Sequence, residues 1–502
     1  MAAPYKDLRQ FVDILRQRDD LLDIYEPVSC HLEITEITDR VSKAPRDKNK
    51  ALLFHNVTQA NGTKSDVPLL INALGATERM LLMVGADSYK DIQKRIEFFL
   101  KPTKPTNLLE AITLLPKLAD LKNFLPRTWE NNWGNTLKES APCQEVVITD
   151  TTQPMLDKLP ILTCWPDDGG PYITFGTVFV KDPATGERNV GMYRLQKYDN
   201  CTTGMHWQKH HDGNRLYENA RAMGKDRLEV AVAIGCSPHI TFSSAAPLPP
   251  GIDELIFAGF LHNTPVEVVK CKTIDNEVPA DSEIVLEGYV LVDELRNEGP
   301  FGDHTGYYSL ADDYPVFHLT AMTHRKNPMY QTTIVGKPPQ EDCYMGKAIE
   351  QIFLPCVRLF VPEIVDMNLP WEGVFHNCMI VSIDKRYPGH AKKIMSSIWG
   401  FGQMMFTKYV IVVDKHVDVQ NVSEVAFHVF NDTDPKRDMM FAEGPMDALD
   451  HATPMWAFGS KVGIDATKKW ATEGFTREWP EELYMDDATK AAVNARFSLL
   501  FY

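Results

Sequence analysis

The region from residue 144 to residue 335 is dominated by β-branched segments with the two-residue alternation of β-strands. It begins with two such segments joined by ATGE, a pattern typical of a β-hairpin. Only residues 253–262 have helical spacing. Many strands with few helices predict a barrel or a sandwich, built from YITFGTVFVKD, NVGMYRLQKYD, VAVAIG, VEVVKC, EIVLEGYVLVDE and VFHLTAMTHR.

The flanking regions mix helical and strand patterns. Residues 5–125 combine an amphipathic helical start with short apolar strands, whereas residues 336–470 alternate helices and strands and include a predicted helix over residues 389–406. Such alternation predicts βαβ units and a largely parallel sheet. We expect an α/β (α+β multidomain) chain with an N-terminal α/β domain at 1–125, a β-rich domain at 140–335, a C-terminal α/β domain at 336–470 and a tail helix within 471–502.

Composition excludes several classes of protein. The net charge of -16, with no long run of Lys and Arg, argues against a nucleic-acid partner. The first residues lack the apolar core of a secretory signal, and no apolar run reaches the roughly 18 residues of a membrane span, so we expect a cytoplasmic protein. The nine cysteines are scattered without CxxC spacing and are expected to be reduced.

The segment NEGPFGDHTGYY, from Asn297 to Tyr308, places Glu298 and Asp303 on a stretch too rich in Gly and Pro to be a helix. A rigidly held loop with two acids is typical of an active site. A surface turn with two solvated acids is an equally good interpretation of these twelve residues alone.

Arg194 lies on the second arm of the predicted hairpin, on the same face as Met192 and opposite Tyr193. An arginine that points into a barrel or its mouth needs an anion, and its planar group suits a carboxylate or a phosphate. A salt bridge to Glu287 or Glu298 is the alternative. No nucleotide-binding, P-loop, zincin or serine-hydrolase motif accompanies it.

Two further groups of polar residues stand out. MHWQKHHD contains His206 and His210 at helical spacing, followed by His211 and Asp212, but no second pair of ligands completes a structural zinc site. An exposed polar loop is the alternative. Glu254 lies in the first turn of the predicted helix, where the helix dipole favours an acid and where a hard cation would also find an oxygen ligand.

Taken together, these motifs resemble the UbiD-type decarboxylase family, whose members use prenylated flavin mononucleotide (FMN) to remove CO2 from aromatic and α,β-unsaturated acids. The chain is most similar to the branch of 3-polyprenyl-4-hydroxybenzoate decarboxylases. The β-rich region is also similar in type to flavin-reductase split β-barrels. The matching segments are HLEITEITDRV, APCQ, ILTCWPDD, NVGMYR, EVVKC, VPADSEIVLEGY, EGPFGDHTGYY, GHAKK and GSKVGIDATKKW.

The resemblance implies a metal site and a flavin site. Asn189 and Glu254 match the ligands of a divalent metal, Mn2+ or Mg2+, completed by the cofactor phosphate, with K+ as a further candidate ion. Relatives carry Arg at the positions of His206 and His211, so the resemblance leaves open whether His211 contacts metal, phosphate or neither. The positions that match flavin contacts are Met192, Tyr193, Arg194, His206, Trp207, Gln208, His211 and Asp212.

The resemblance also implies the catalytic residues. Arg194 is expected to orient the substrate carboxylate, Glu298 to hold the guanidinium, and Asp303 to protonate the carbon that loses CO2. Because Asp303 must be neutral for part of the cycle, we expect its pKa to be raised by burial or by Glu298. The expected reaction is non-oxidative decarboxylation of a 4-hydroxybenzoate-type quinone precursor.

Alternatives remain for the function and the partners. The chain could instead be a split-barrel flavin oxidoreductase or a non-catalytic flavin-binding assembly protein. For the decarboxylase, the resemblance implies an aromatic acid substrate, a flavin prenyltransferase that supplies the cofactor, and a homo-oligomer, either a dimer or a hexamer. A lipophilic substrate would favour peripheral association with a membrane.

Overall fold

In the described part of the N-terminal unit, four helices accompany a four-stranded sheet. A computed structural model describes residues 4–100, 120–129, 140–208, 212–248 and 251–497. The first helix begins after Asp7, whose side chain caps it, and buries the four apolar residues that the helical spacing predicts. The elements are α1 (Leu8–Gln17), β1 (Leu21–Ile24), β2 (Val28–Ser29), α2 (Glu33–Ser42), β3 (Ala51–Phe54), β4 (Val57–Thr58), β5 (Leu69–Ile71), α3 (Thr77–Val84) and α4 (Tyr89–Leu100).

The middle of the chain forms an antiparallel barrel, as its β-rich pattern predicts. Its principal strands are β8 (Tyr172–Lys181), β9 (Arg188–Gln196), β10 (Thr202–Gly204), β11 (Arg227–Ile234), β14 (Ile284–Glu298) and β17 (Asp312–His324). They hydrogen-bond in the order β10-β17-β14-β11-β8-β9. A bridge between Lys197 and Thr203 joins the two ends of this order, so the strands close into a ring.

Shorter elements surround the barrel. Helices at residues 212–222 and 238–243 show that the expectation of a single helix in this region is wrong, because the first is mostly polar and the second has only 6 residues, so neither has a strong apolar period. The strand β7 extends the barrel sheet beside β17, and β18 pairs in parallel with β5 of the N-terminal sheet although it lies before the predicted boundary at residue 335. The predicted domain boundaries stay predictions. These elements are β6 (Arg127–Thr128), β7 (Val146–Ile148), α5 (Asp212–Ala222), α6 (Pro238–Ser243), α7 (Glu254–His262), β12 (Glu267–Lys270), β13 (Glu277–Pro279), β15 (Phe301–Gly302), β16 (Tyr308–Ser309) and β18 (Tyr330–Gln331).

The C-terminal unit is an α/β domain followed by a tail. Its sheet has the order β19-β20-β21-β23-β22, in which the three inner strands are parallel and both edge strands are antiparallel. The elements are α8 (Glu341–Phe360), β19 (Ile364–Asn368), β20 (Cys378–Ile383), α9 (His390–Trp399), β21 (Tyr409–Asp414), α10 (Val422–Asp432), α11 (Pro435–Asp438), β22 (Met439–Pro445), β23 (Phe458–Asp465) and α12 (Asp487–Phe497).

Two features of this unit differ from the pattern in the sequence. The helix predicted over residues 389–406 ends at Trp399, because Gly400 caps it and Gly402 adopts a left-handed φ of 49°. The largely parallel sheet is confirmed only for the inner strands. Among the described helices, none is both long enough and apolar enough to cross a bilayer.

A buried cluster of rings joins the N-terminal unit to the helices beside the barrel. His239 and His262 stack with their centroids 3.5 Å apart, and His262 Nε2 donates a hydrogen bond to the carbonyl of Met83 over 2.8 Å. The hydroxyl of Tyr5 donates to the same carbonyl. Burial lowers the pKa of His262 to about 4, so the ring is neutral at physiological pH.

This cluster predicts a loss of stability in mild acid. Between pH 6.5 and 4, His262 is protonated in the unfolded chain but neutral in the folded protein. The contribution of His262 to stability is therefore present above pH 6.5 and is lost as the pH falls toward 4. The loss amounts to about 3 kcal/mol. His262→Gln should flatten the pH dependence of the unfolding free energy, measured with denaturant, whereas His31→Gln at an exposed position should leave it unchanged. Parallel curves for wild type and His262→Gln would contradict this assignment.

Candidate active site

The loop that carries Glu298 and Asp303 is a short hairpin at the end of a long barrel strand. Glu298 is the last residue of β14, and Phe301 and Gly302 then pair with Tyr308 and Ser309. Phe301 is buried, with its ring centroid 4.7 Å from that of Tyr172. Both acids are also buried, at 1% and 7% exposure, so the interpretation as a surface turn with solvated acids is wrong.

A close backbone crossing fixes the start of the hairpin. A Cβ atom on Gly299 would lie 2.5 Å from the Cα atom of Gly169, which no real Cβ tolerates. The side chain of Gln196 binds both segments, since its Oε1 accepts from the Gly299 amide over 2.8 Å and its Nε2 donates to the Gly169 carbonyl. Asp168 accepts from the Gly302 amide over 2.8 Å. These contacts hold the two acids at fixed positions.

Arg194 lies at the centre of the site and is only 9% exposed. Its Nε donates to Glu298 Oε1 over 2.9 Å, Nη1 donates to Asp303 Oδ2, and Nη2 donates to Ser309 Oγ over 3.0 Å. The guanidinium also lies over the ring of Phe301, 4.7 Å from its centroid. Arg194 therefore contacts the acidic loop, as the sequence predicts. Of the two acids considered as alternative salt-bridge partners, Glu298 forms the salt bridge.

Glu298 is shared between Arg194 and a histidine. The Oε1 atom of Glu298 also accepts from His206 Nδ1 over 2.9 Å, and Gln208 Nε2 donates to His206 Nε2 over 3.2 Å. The amide donor fixes the tautomer with the proton on Nδ1. Burial raises the pKa of Glu298, but the His206 hydrogen bond and the charge of Arg194 lower it overall. Glu298 is therefore ionised.

Asp303 differs from the expectation of a raised pKa. Burial does raise the pKa, but a hydrogen bond from His304 and the charge of Arg194 outweigh burial and hold it well below its usual range. The expectation of a raised pKa for Asp303 is wrong, because it rested on burial and Glu298, and the donors around Asp303 have the larger effect. The carboxylate is ionised here, and Arg194 carries two anionic partners.

His304 extends the site toward the C-terminal unit. Its ring Nδ1 lies 2.8 Å from Asp303 Oδ1, and its Nε2 lies 2.9 Å from Nε2 of His376. Burial lowers the pKa of His304, but Asp303 raises it overall, whereas burial and the charge of His304 lower the pKa of His376 to about 4. We therefore assign the shared proton to His304. The sequence contained one signal for this contact, the DH pair in the acidic loop, and none for His376.

The two residues predicted to bind a metal lie together. Glu254 is the first residue of α7, and its Oε2 accepts from the backbone amide of Val190, next to Asn189, over 3.0 Å. Burial raises the pKa of Glu254 to about 7, and the charges of Asp253 and Asp212 add to this effect. Among the described residues this partly buried carboxylate has no cationic partner, and Asn189 adjoins its donor Val190 in the chain, which fits a hard divalent cation. Asn189 and Arg194 are on the same strand, about 17 Å apart along it.

The remaining predicted flavin contacts are divided between the two ends of the site. His206 and Gln208 lie beside Glu298, whereas Tyr193, whose hydroxyl accepts from the Gly213 amide, lies near Asp212 at the end where Asn189 and Glu254 are found. The side chain of Trp207 is buried in the hydrophobic core, and Met192 packs against a second core cluster. His211 and His210 lie outside the described residues.

The close crossing of Gly169 and Gly299 predicts a strong effect of a single methyl group. Gly299→Ala must push the two segments apart and should lower the unfolding free energy by about 1–3 kcal/mol. Gly444→Ala is the matched control, since a Cβ there meets only Lys461 Cε at 3.4 Å. The measurement is denaturant unfolding of both variants beside the wild type. Equal stability of the two variants would show that the crossing is looser than described.

Comparison with known proteins assigns the chain to a family. Models of the N-terminal domain, the Rift-related central domain and the C-terminal domain of 3-octaprenyl-4-hydroxybenzoate carboxy-lyase (UbiD) match residues 12–98, 135–338 and 343–466. Two uncharacterised proteins, from Archaeoglobus fulgidus and Aquifex aeolicus, are each 47% identical to this chain, with 98% of both chains covered. The three matched regions follow the order of the N-terminal unit, the barrel and the C-terminal unit.

Solved structures agree with this assignment. The closed form of vanillic acid decarboxylase from Sedimentibacter hydroxybenzoicus superposes with a TM-score of 0.83 at 28% identity and covers 99% of both chains. The UbiD-class enzyme HmfF from Pelotomaculum thermopropionicum, in complex with FMN, gives a TM-score of 0.78 at 28% identity over 97% of this chain and 98% of that chain. The chain belongs to the UbiD family of carboxy-lyases.

Proposed function

We propose that this protein is a prenylated-FMN-dependent decarboxylase that removes CO2 from an aromatic acid. The observation that carries the proposal is the buried Arg194, held by Glu298 and Asp303 at the mouth of a barrel. Structural neighbours support it, since one is a vanillic acid decarboxylase and another is an evolved HmfF in complex with prenylated FMN. When bound, prenylated FMN supplies the electron sink that decarboxylation requires and that side chains lack.

The donors present fit a flavin phosphate held through a metal. Asn189 and Glu254 offer amide and carboxylate oxygens, which suit Mn2+ or Mg2+, with K+ as a further candidate ion. A divalent cation held by Asn189 and Glu254 would supply positive charge that offsets the repulsion between a chain of charge -16 and the cofactor phosphate. Near the other end, His206 and Gln208 lie beside Glu298, and we propose that they contact the flavin.

Arg194 binds the substrate carboxylate in this proposal. The guanidinium already has two anionic partners, so with a substrate carboxylate these groups would carry a net charge of about -2, which protonated His304 reduces to about -1. The repulsion between the substrate carboxylate and Asp303 is relieved if Asp303 leaves Arg194 and takes up a proton. Glu298 stays ionised, because His206 and Arg194 both bind it, and keeps the guanidinium oriented. Substrate binding is therefore coupled to protonation of Asp303.

His304 is the proton source for Asp303. Its Nδ1–H points at the carboxylate that must be neutralised, over 2.8 Å. In the reaction the bond between the ring carbon and the carboxylate breaks, CO2 leaves, and the carbon takes the proton from Asp303. His376 lies at 2.9 Å from His304 and lines a cavity with Lys408, Asp450 and His451. After His304 has given up its Nδ1 proton, a flip of its ring turns the unprotonated nitrogen toward His376, which is placed to return a proton from that cavity.

Finer features of the function follow from the resemblance in the sequence. We propose a 4-hydroxybenzoate-type quinone precursor as substrate, a flavin prenyltransferase as the source of the cofactor, and a homo-oligomer as the working form. A test co-expresses the chain with a flavin prenyltransferase, identifies the bound flavin by mass spectrometry, and measures CO2 release over a panel of aryl acids. Oxidation of NADH without CO2 release would identify a flavin oxidoreductase instead.

Asp303→Asn should retain the bound flavin and lose turnover by at least about 100-fold, because the amide cannot deliver a proton. The measurements are the absorption spectrum of the purified protein and the rate of CO2 release. Asp313→Asn, which removes an exposed carboxylate from the adjoining strand, serves as the control and should keep full activity. An active Asp303→Asn variant would exclude Asp303 as the proton donor.

His376→Gln should lower kcat by about tenfold and leave KM nearly unchanged, since His376 contacts His304 in the proposed proton-transfer route and does not bind the substrate. Added imidazole should restore part of the lost rate in the variant and have no effect on the wild type. Restoration by a small proton donor separates this role from a structural one. A variant with unchanged kcat, or a lowered kcat that imidazole does not restore, would contradict the route through His376.

A further inference from the structure

Three side chains far from the catalytic site converge on the C-terminal unit. His416 follows the end of β21, His428 lies on α10, and Glu482 belongs to the tail between β23 and α12. His416 Nε2 lies 3.5 Å from Glu482 Oε2, and His428 Nε2 lies 3.9 Å from Glu482 Oε1. One ligand atom from each residue lies within 4.8 Å of the other two. The tail thus supplies an oxygen to a pair of histidines from the folded domain.

His428 has the environment of a metal ligand. His428 is only 5% exposed. Its Nδ1 hydrogen-bonds to Oδ2 of Asp432, one helical turn further along, over 2.7 Å. Its Nε2 is buried and has no hydrogen-bond partner among the described residues. A carboxylate that binds one ring nitrogen, while the other points at a cluster of donors, is the usual arrangement behind a metal-bound histidine. An unpartnered buried nitrogen is costly without such a ligand.

We propose that His416, His428 and Glu482 bind a Zn2+ ion that ties the tail to the C-terminal unit. Zinc–ligand bonds of about 2.0–2.1 Å place tetrahedral donors about 3.3 Å apart. The two histidines lie 3.5 and 3.9 Å from different oxygens of Glu482, and the three ligand atoms all lie within 4.8 Å of one another, so the donors must approach by at most about 1.5 Å to bind the ion. Glu482 and His416 are partly exposed and can move, whereas His428 is fixed by Asp432. Two imidazoles and one carboxylate leave a fourth position for water.

This site differs in chemistry from the one at Asn189 and Glu254. Imidazole nitrogens favour Zn2+ and similar borderline ions, whereas amide and carboxylate oxygens favour Mn2+ or Mg2+. The two sites can therefore be separated by metal type. His416, His428 and Glu482 have no role in the proposed decarboxylation, so the zinc site is tested independently of that function.

The test uses tag-free, full-length protein stripped with a chelator. Zn2+ binding is measured by calorimetry in the presence of excess Mg2+, and bound zinc is counted by elemental analysis after dialysis. Wild type should retain one zinc ion per chain. His428→Ala should retain none, and Glu482→Gln, which alters an exposed residue and cannot unfold the domain, should bind at least tenfold more weakly. Glu481→Gln, at the neighbouring exposed acid, is the matched control and should bind as the wild type does.

Limited proteolysis provides a second measurement. Zn2+ should slow tryptic cleavage after Arg477 in the tail several-fold in the wild type and in Glu481→Gln, and should not slow it in His428→Ala or Glu482→Gln. The proposal is overturned if the stripped wild type takes up no zinc, or if His428→Ala and Glu482→Gln bind zinc as tightly as the wild type does. It is also overturned if zinc binds without protecting the tail.

Discussion

The sharing of one buried guanidinium between two carboxylates is the interaction on which the candidate active site depends. Arg194 comes from one barrel strand, Glu298 from the end of another, and Asp303 from the hairpin that follows. Three buried charges are tolerated only when each is paired and hydrogen-bonded. The close crossing at Gly299 and the Gln196 side chain that binds it serve this requirement, because a shift of the hairpin would leave an unpaired charge in the barrel.

The same interaction makes the protonation state of Asp303 depend on what Arg194 binds. In the structure the carboxylate is ionised, because His304 and Arg194 outweigh burial. In the proposed mechanism a substrate carboxylate competes for Arg194 and removes one of these stabilising partners, so the pKa of Asp303 would rise when a proton is needed. His376 brings the C-terminal unit into contact with His304, which makes the proton supply depend on how the two units pack.

Sequence patterns predicted the regular parts of the molecule. Strand alternation identified the hairpin that carries Arg194, and helical spacing placed Glu254 at a helix start, because both patterns depend on local burial. The helix over residues 389–406 was predicted too long because Gly400 and Gly402 are weak signals against a strongly apolar run. The parallel sheet was only partly predicted, since alternation does not reveal the direction of edge strands. His211 is a prediction that the described residues do not test.

By itself the sequence determined which residues are candidates for catalysis and metal binding: an arginine on a strand, two acids in a Gly- and Pro-rich loop, and an amide and an acid suited to a hard cation. It could not determine the charge state of Asp303, the contact between His304 and His376, or the convergence of Glu482 on two histidines. Each of these depends on residues distant in the chain that approach within about 4 Å, and only the tertiary structure decides which donors reach a given acid.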